Sequence, residues 1–193
     1  MSILAQHSYT GNVTEKQPYE VVKKFAEFEL RRYPESQLAT VTVTGDLPSA
    51  GNRAFSPLVT YISGGNQSSQ KIAMTAPVIQ APAGGDVHQV SFVMPADMSA
   101  DDLPVPRDAR VTVHTEPEHY AVAHRFSGTC TEKRFYEKGE QLKKAVSQSV
   151  ASGELSANFL GEVFFARYDP PWMPGLARRN EALIKVSLGK QNS

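Results

Sequence analysis

Apolar residues alternate with threonine along Leu38-Ala39-Thr40-Val41-Thr42-Val43-Thr44, which predicts a half-buried strand that stops at Gly45-Asp46. Before it, Phe25, Phe28 and Leu30 lead into Arg31-Arg32-Tyr33, a strand that Pro34 ends. After it, Phe55, Leu58, Val59 and Ile62 recur at helical spacing and predict a helix over about 49–62, closed by Gly64-Gly65. Pro57 within that span should kink the helix or mark its first full turn. Strands follow at about 70–80 and 88–95.

The pattern then starts again. Val111 and Val113 mark a strand and Glu116-Pro117-Glu118 a turn. Tyr120, Val122, His124 and Phe126 share one face of a strand ending at Gly128. Thr129 and Glu132 have capping-box spacing and open a helix to about Val150. In it Phe135, Leu142, Ala145, Val146 and Val150 face inward, Lys133, Lys138, Glu140, Lys143 and Lys144 form the solvated face, and Gly139 is a local weakness. Strands at about 162–168 and 181–188 complete the chain.

Each half thus reads strand–strand–helix–strand–strand, and Pro34-Glu35 and Gly45 recur as Pro117-Glu118 and Gly128 at a constant offset of 83. This is an α+β chain of duplicated ββαββ halves, whose strands can join into one curved or barrel-like antiparallel sheet flanked by two helices. Residues 1–17 read as a loose arm or short edge strand, and 18–190 as a single domain.

Composition narrows the function. The 193 residues carry 20 Lys+Arg and 20 Asp+Glu, so bulk charge gives no basic face for nucleic acid or an anionic membrane. No apolar run reaches the roughly 18 residues of a bilayer span, and the N-terminus lacks the pattern of a signal peptide. The single cysteine, Cys130, reads as a small buried hydrophobe in a reducing compartment, and the cytoplasm is the expected location.

Catalytic patterns are missing: there is no Gly-x-Ser-x-Gly, phosphate-cradling loop or His-Glu-x-x-His. Glu162 and Tyr168 are the weak candidates for catalysis, and a solvated carboxylate and a core tyrosine describe them better. His114, His119 and His124 are spaced like a metal set, but alternation turns His119 away from His124 and no cysteine completes a site. His124 is the weak metal candidate, better read as a satisfied, partly buried histidine. What remains is apolar lining with a cationic rim. Phe55, Val59, Ile62, Met74, Met94, Trp172 and Met173 are large and soft, and Arg53, Lys71, Arg178 and Arg179 lie near them in sequence. That combination suits a flat apolar dicarboxylate, although each apolar residue taken singly fits a core better than a pocket.

Three groups of residues resemble the SOUL haem-binding proteins. They are Lys71-Ile72-Ala73-Met74-Thr75-Ala76-Pro77-Val78, Tyr168-Asp169-Pro170-Pro171 with Arg179-Asn180-Glu181, and Tyr61-Ile62-x-Gly64-x-Asn66. So does the stretch from Tyr19-Glu20-Val21-Val22 to Glu29-Leu30-Arg31-Arg32-Tyr33, and the resemblance covers about residues 18–187. It implies a distorted eight-stranded antiparallel β-barrel with two helices, related in fold to bacterial small-molecule effector-binding domains. It also implies haem or another tetrapyrrole as cofactor, in a hydrophobic cleft that involves Asn52, Phe55, Val59, Thr60 and the 172–178 loop. Some relatives carry a proposed axial histidine where Arg32 stands here, and an arginine has no lone pair for iron. Two cationic positions that could meet propionates in relatives read Asn52 and Thr60. A tetrapyrrole carrier or buffer is the first expectation, an effector-binding module for other apolar ligands the second, and an enzyme the third. Oligomeric state is not legible.

Overall fold

The structure is a computed structural model that describes residues 14–129, 131–169 and 173–189; Cys130, Trp172 and most of the N-terminal arm lie outside the described residues. Its strands are β1 (Glu15–Lys16), β2 (Glu20–Lys24), β3 (Glu29–Tyr33), β4 (Ser36–Thr44), β5 (Thr75–Ala76), β6 (Val78–Pro82), β7 (Val87–Val93), β8 (Val111–Glu116), β9 (His119–Ser127), β10 (Ala157–Phe159), β11 (Phe164–Arg167) and β12 (Arg179–Leu188). Its helices are α1 (Leu47–Ile62) and α2 (Glu132–Ala151).

One antiparallel sheet runs in the order β2-β3-β9-β12-β11-β6-β7-β4-β8, with β10 also on β12. It curls into a half-barrel. The duplication is visible in this order. β6-β7-β4 of the first half and β11-β12-β9 of the second meet at the β6–β11 pair, where Phe165 faces Gln80. The opening strand of each half is exchanged: β3 pairs with β9, and β8 pairs with β4. The strands β4 and β9, nine residues each, start 83 positions apart, at Ser36 and His119. The turn at 116–118 suggests that the strands carrying His114 and His124 are neighbours, and exchange corrects this: the two histidines are not on neighbouring strands. β9 pairs with β3 and β12, and β8 stands at the far edge of the sheet.

Both helices cover the same side of the sheet. α1 packs Ala54, Leu58, Tyr61 and Ile62 against Val41, Val90 and Phe92, and α2 packs Phe135, Leu142 and Val146 against Val122, Phe165 and Ile184. Each buried Val, Leu, Ile or Phe among them contributes about 1.5–3 kcal/mol. The opposite, concave side carries a smaller cluster of Tyr33, Ala121, Ala123, Ala166 and Leu183. Residues 15–17 cross toward the first half: β1 pairs in parallel with β5, and the Gln17 N–H donates to the Ala76 carbonyl at 2.7 Å.

The helix starts differ from the sequence expectation because the side chains that cap them sit earlier or later. α1 begins at Leu47, with the Asp46 carboxylate accepting from the Ser49 N–H at 2.7 Å. α2 is capped by Thr131, not Thr129; its hydroxyl accepts from the Arg134 N–H at 3.3 Å. α1 runs unbroken through Pro57. Val150, expected inward, is exposed near the end of α2. Gly139 is buried, and a Cβ there would lie 3.2 Å from Val163 Cγ1, so close helix–sheet packing accounts for the glycine.

The turn after α1 is held by Asn66, which is fully buried. Its amide donates to the Tyr61 and Gln70 carbonyls at 3.1 and 2.8 Å, and its oxygen accepts from the Gln70 N–H at 3.0 Å. Gly65 passes so close to the helix end that a Cβ would stand 2.6 Å from the Thr60 carbonyl oxygen. Gly65→Ala should therefore lower the unfolding free energy by about 1–3 kcal/mol in a urea titration, with an unchanged m-value.

Candidate ligand-binding faces

Asn52, Phe55, Val59 and Ile62 follow three- and four-residue steps along α1 and share one flank of it. Arg53 and Thr60, seven residues apart, lie on the other flank, and the Arg53 guanidinium donates to the Thr44 carbonyl there. Ile62 is buried and Val59 partly so, but Phe55 remains 40 % exposed, its ring meeting Phe92 edge-on at 5.5 Å. Ile72 ties the next segment to the helix end through its N–H on the Ile62 carbonyl (2.8 Å). Met74, 38 % exposed, follows two residues later.

Phe92 is paired with Val78 on β6, and Val78 with Arg167 at the end of β11. Arg167 donates to the Gln80 side chain at 2.7 Å, whose amide donates to the Leu47 carbonyl at 2.5 Å. The start of α1 is thereby laced to the end of β11. The Met173 carbonyl accepts from Arg178 Nε at 2.7 Å, and Leu176 is 92 % exposed. Trp172 lies outside the described residues. Lys71 is exposed, whereas Arg179, placed on the rim by the sequence reading, is drawn into a buried cluster.

That cluster lies on the concave side. Glu181 is fully buried, and its carboxylate accepts from Arg31 at 2.7 and 3.1 Å, from Arg179 at 2.8 Å and from the Tyr168 hydroxyl at 3.1 Å. The Arg31 guanidinium also lies over the Tyr19 ring (4.1 Å), and that of Arg179 over the Tyr168 ring (3.9 Å). Burial alone would raise the Glu181 pKa, but hydrogen bonds and attraction from the two guanidiniums outweigh it and hold the pKa below the ordinary value. Burial pushes the Tyr33 hydroxyl up to about 12. Next to the cluster, a groove of about 140 Å³ runs over Leu38, Ile79, Ala81, Phe164, Ala166 and Leu183.

The three histidines do not form one set: His114 and His119 both line the groove, where His119 stacks on Tyr33. His124 faces the α2 side, where Nδ1 donates to the Glu27 carbonyl at 2.6 Å and the buried Nε2 meets no hydrogen-bond partner among the described residues. No group of three or more His, Cys, Asp or Glu side chains among the described residues is arranged to hold a metal ion. Of the weak catalytic candidates, Glu162 is exposed 3.7 Å from Lys143, and Tyr168 is bonded into the cluster.

Residues 14–185 match the profile of the SOUL heme-binding proteins. The chain belongs to the SOUL family. Among curated relatives, Heme-binding protein 1 of Xenopus tropicalis and that of Xenopus laevis are each 26 % identical over 161 residues, covering 80 % of this chain and 80 % of theirs. Among solved structures, the EcmrR C-terminal domain superposes with a TM-score of 0.60 at 12 % identity, covering 89 % of this chain and 99 % of its own. A hydrolase from Listeria innocua gives 0.54 at 12 %, covering 86 % and 94 %. These likenesses establish the shared fold. No described helix is long and apolar enough to cross a membrane.

Several residues that carry the SOUL resemblance converge in the charge cluster: Tyr19, Arg31, Tyr33, Tyr168, Arg179 and Glu181 all touch it. Apart from Arg179 on the expected cationic rim and Tyr168 as a weak catalytic candidate, sequence reasoning used them as signatures without giving them a role. The one signal available was that strongly polar residues stood inside otherwise apolar strands. Because the folded pKa of Glu181 is depressed, its ionic contribution to stability is present above the unfolded carboxylate value of about 4.3 and lost as pH falls through the lower folded value. The difference in unfolding free energy between the wild type and Glu181→Gln should therefore stay constant from about pH 5 to 8 and shrink below about pH 4. Arg31→Met, which removes a buried partner, should cost about 3 kcal/mol at pH 7 by the same titration.

Proposed function

We propose that this chain binds haem or a related tetrapyrrole against the Phe55 flank of α1, acting as a carrier or buffer in the cytoplasm. Membership of the SOUL heme-binding family supports this ligand class. The observation that favours this flank is the exposure of two large apolar side chains, Phe55 on α1 against Phe92 and Met74 just after the segment tied to the helix end. Exposed apolar area of this kind suits a flat macrocycle, which gains from contact on its face. Lys71 and Asn52 are exposed near it and can meet carboxylates. Size argues against the concave groove: an engineered apolar cavity of about 150 Å³ holds one benzene ring, and a tetrapyrrole has four linked rings.

The flank suits the macrocycle better than its metal. No exposed histidine stands on this flank among the described residues, and Arg32 is on β3, bonded to Glu118 at 2.7 Å. Binding here rests on apolar contact and on hydrogen bonds to the acid groups.

Haem added to the wild-type protein at tens of micromolar should shift the Soret band and saturate. Phe55→Asp should weaken binding at least tenfold, which corresponds to about 1.4 kcal/mol. Tyr33→Phe, on the other side of the sheet, should leave it unchanged. An unaltered haem spectrum with wild-type protein would refute the proposal.

A further inference from the structure

The charges around the concave groove are matched within the protein. Arg31 pairs with Glu181 and with Glu29 (2.8 Å), Arg179 pairs with Glu181, and Lys185 pairs with Glu116 at 2.7 Å. A charged ligand would meet no counter-charge that is not already paired, and its desolvation would go uncompensated. The hydroxyls of Thr40 and Ser91 bond to each other at 2.7 Å, and Tyr168 donates its hydrogen to Glu181.

Beside the side chains of Gln17, Gln89 and His114, which also line the groove, Tyr33 and His119 each keep a polar function that is not used up in this way. Tyr33 accepts from Arg31 Nη1 at 3.2 Å, and no described residue accepts the hydrogen of its hydroxyl. His119 Nδ1 lies 2.9 Å from the Pro117 carbonyl, which can only accept, so Nδ1 carries the hydrogen and Nε2 of the neutral ring keeps a lone pair. The two rings are stacked, with centroids 5.3 Å apart and an interplanar angle of 13°. One donor and one acceptor therefore stand side by side at the wall of an apolar groove, and Gln17 adds an uncharged amide to the lining.

We propose that this groove is a binding site, separate from the α1 flank, for an uncharged single-ring molecule that carries a hydroxyl or primary amide. The volume of about 140 Å³ sets the size at one ring. The hydroxyl or amide is the group that can accept from Tyr33 and donate to His119 at once. The matched charges set the neutrality.

The test is calorimetric titration of the full chain with phenol, benzamide, toluene, benzoate and benzylammonium, followed by methyl NMR of Ala166 and Leu183. Phenol and benzamide should saturate at millimolar concentration or below and shift both methyl signals. Toluene, benzoate and benzylammonium should each bind at least tenfold more weakly. Tyr33→Phe should weaken phenol about tenfold, the loss of one hydrogen bond to a buried group, and leave toluene unchanged. His119→Phe keeps the stacked ring, removes the acceptor and should also weaken phenol. If either variant fails to fold, the ranking of the five probes on the wild type still decides. Phenol failing to saturate, benzoate or benzylammonium binding as tightly as phenol, or shifts away from the groove would overturn the proposal. Saturating phenol should leave the haem titration unaltered, and competition between them would refute separate sites.

Discussion

The buried contact of Glu181 with Arg31 and Arg179 is the constraint around which the two halves are organised. Arg31 belongs to the strand that the first half gives to the second, and Glu181 to the second half's long final strand. They are 150 residues apart in the chain and 2.7 Å apart in the fold. Burying a carboxylate costs several kcal/mol and is tolerated only when its oxygens are satisfied. Here both oxygens are, by two guanidiniums and a phenol. If β3 paired anywhere else, Arg31 would no longer reach Glu181, so the cluster specifies which strands meet as well as contributing to stability.

Exchange of the opening strands also explains why the sheet has two working sides. The helices occupy one side and bury the regular apolar stripes of the strands. On the other side the strands have only each other, and tyrosines, paired charges and small residues fill that space. The apolar flank of α1 and the concave groove are therefore on opposite faces of the sheet, with different chemistry. Phe55 and Met74 offer area without charge, and the groove offers hydrogen bonds within an internally neutral wall.

Helical spacing correctly grouped Phe55 with Val59 and Ile62, but it could not say that Phe55 would remain exposed. That depends on how far α1 is rolled on the sheet, which Ala54, Leu58 and Tyr61 decide by packing against Val41, Val90 and Phe92. The cationic rim was inferred from nearness in sequence. Arg179 escaped that reading because its partner, Glu181, sits on the same strand face two residues on, and both turn to the concave side. Thr129 was read as the cap of α2 from its spacing to Glu132, whereas Thr131 holds the capping geometry because the helix starts one residue after it.

The sequence by itself determined the strand–strand–helix–strand–strand repeat, the offset of 83 and the α+β class, because periodicity, glycines and prolines act through local backbone preferences. Its motif residues also carried the SOUL resemblance. Only the tertiary structure decided that β3 and β8 change places, that Arg31 and Arg179 close on Glu181, and that Tyr33 stacks on His119 over a groove. Those are long-range contacts, chosen by how two curved half-sheets can bury their faces and satisfy their charges together, and no local preference encodes them.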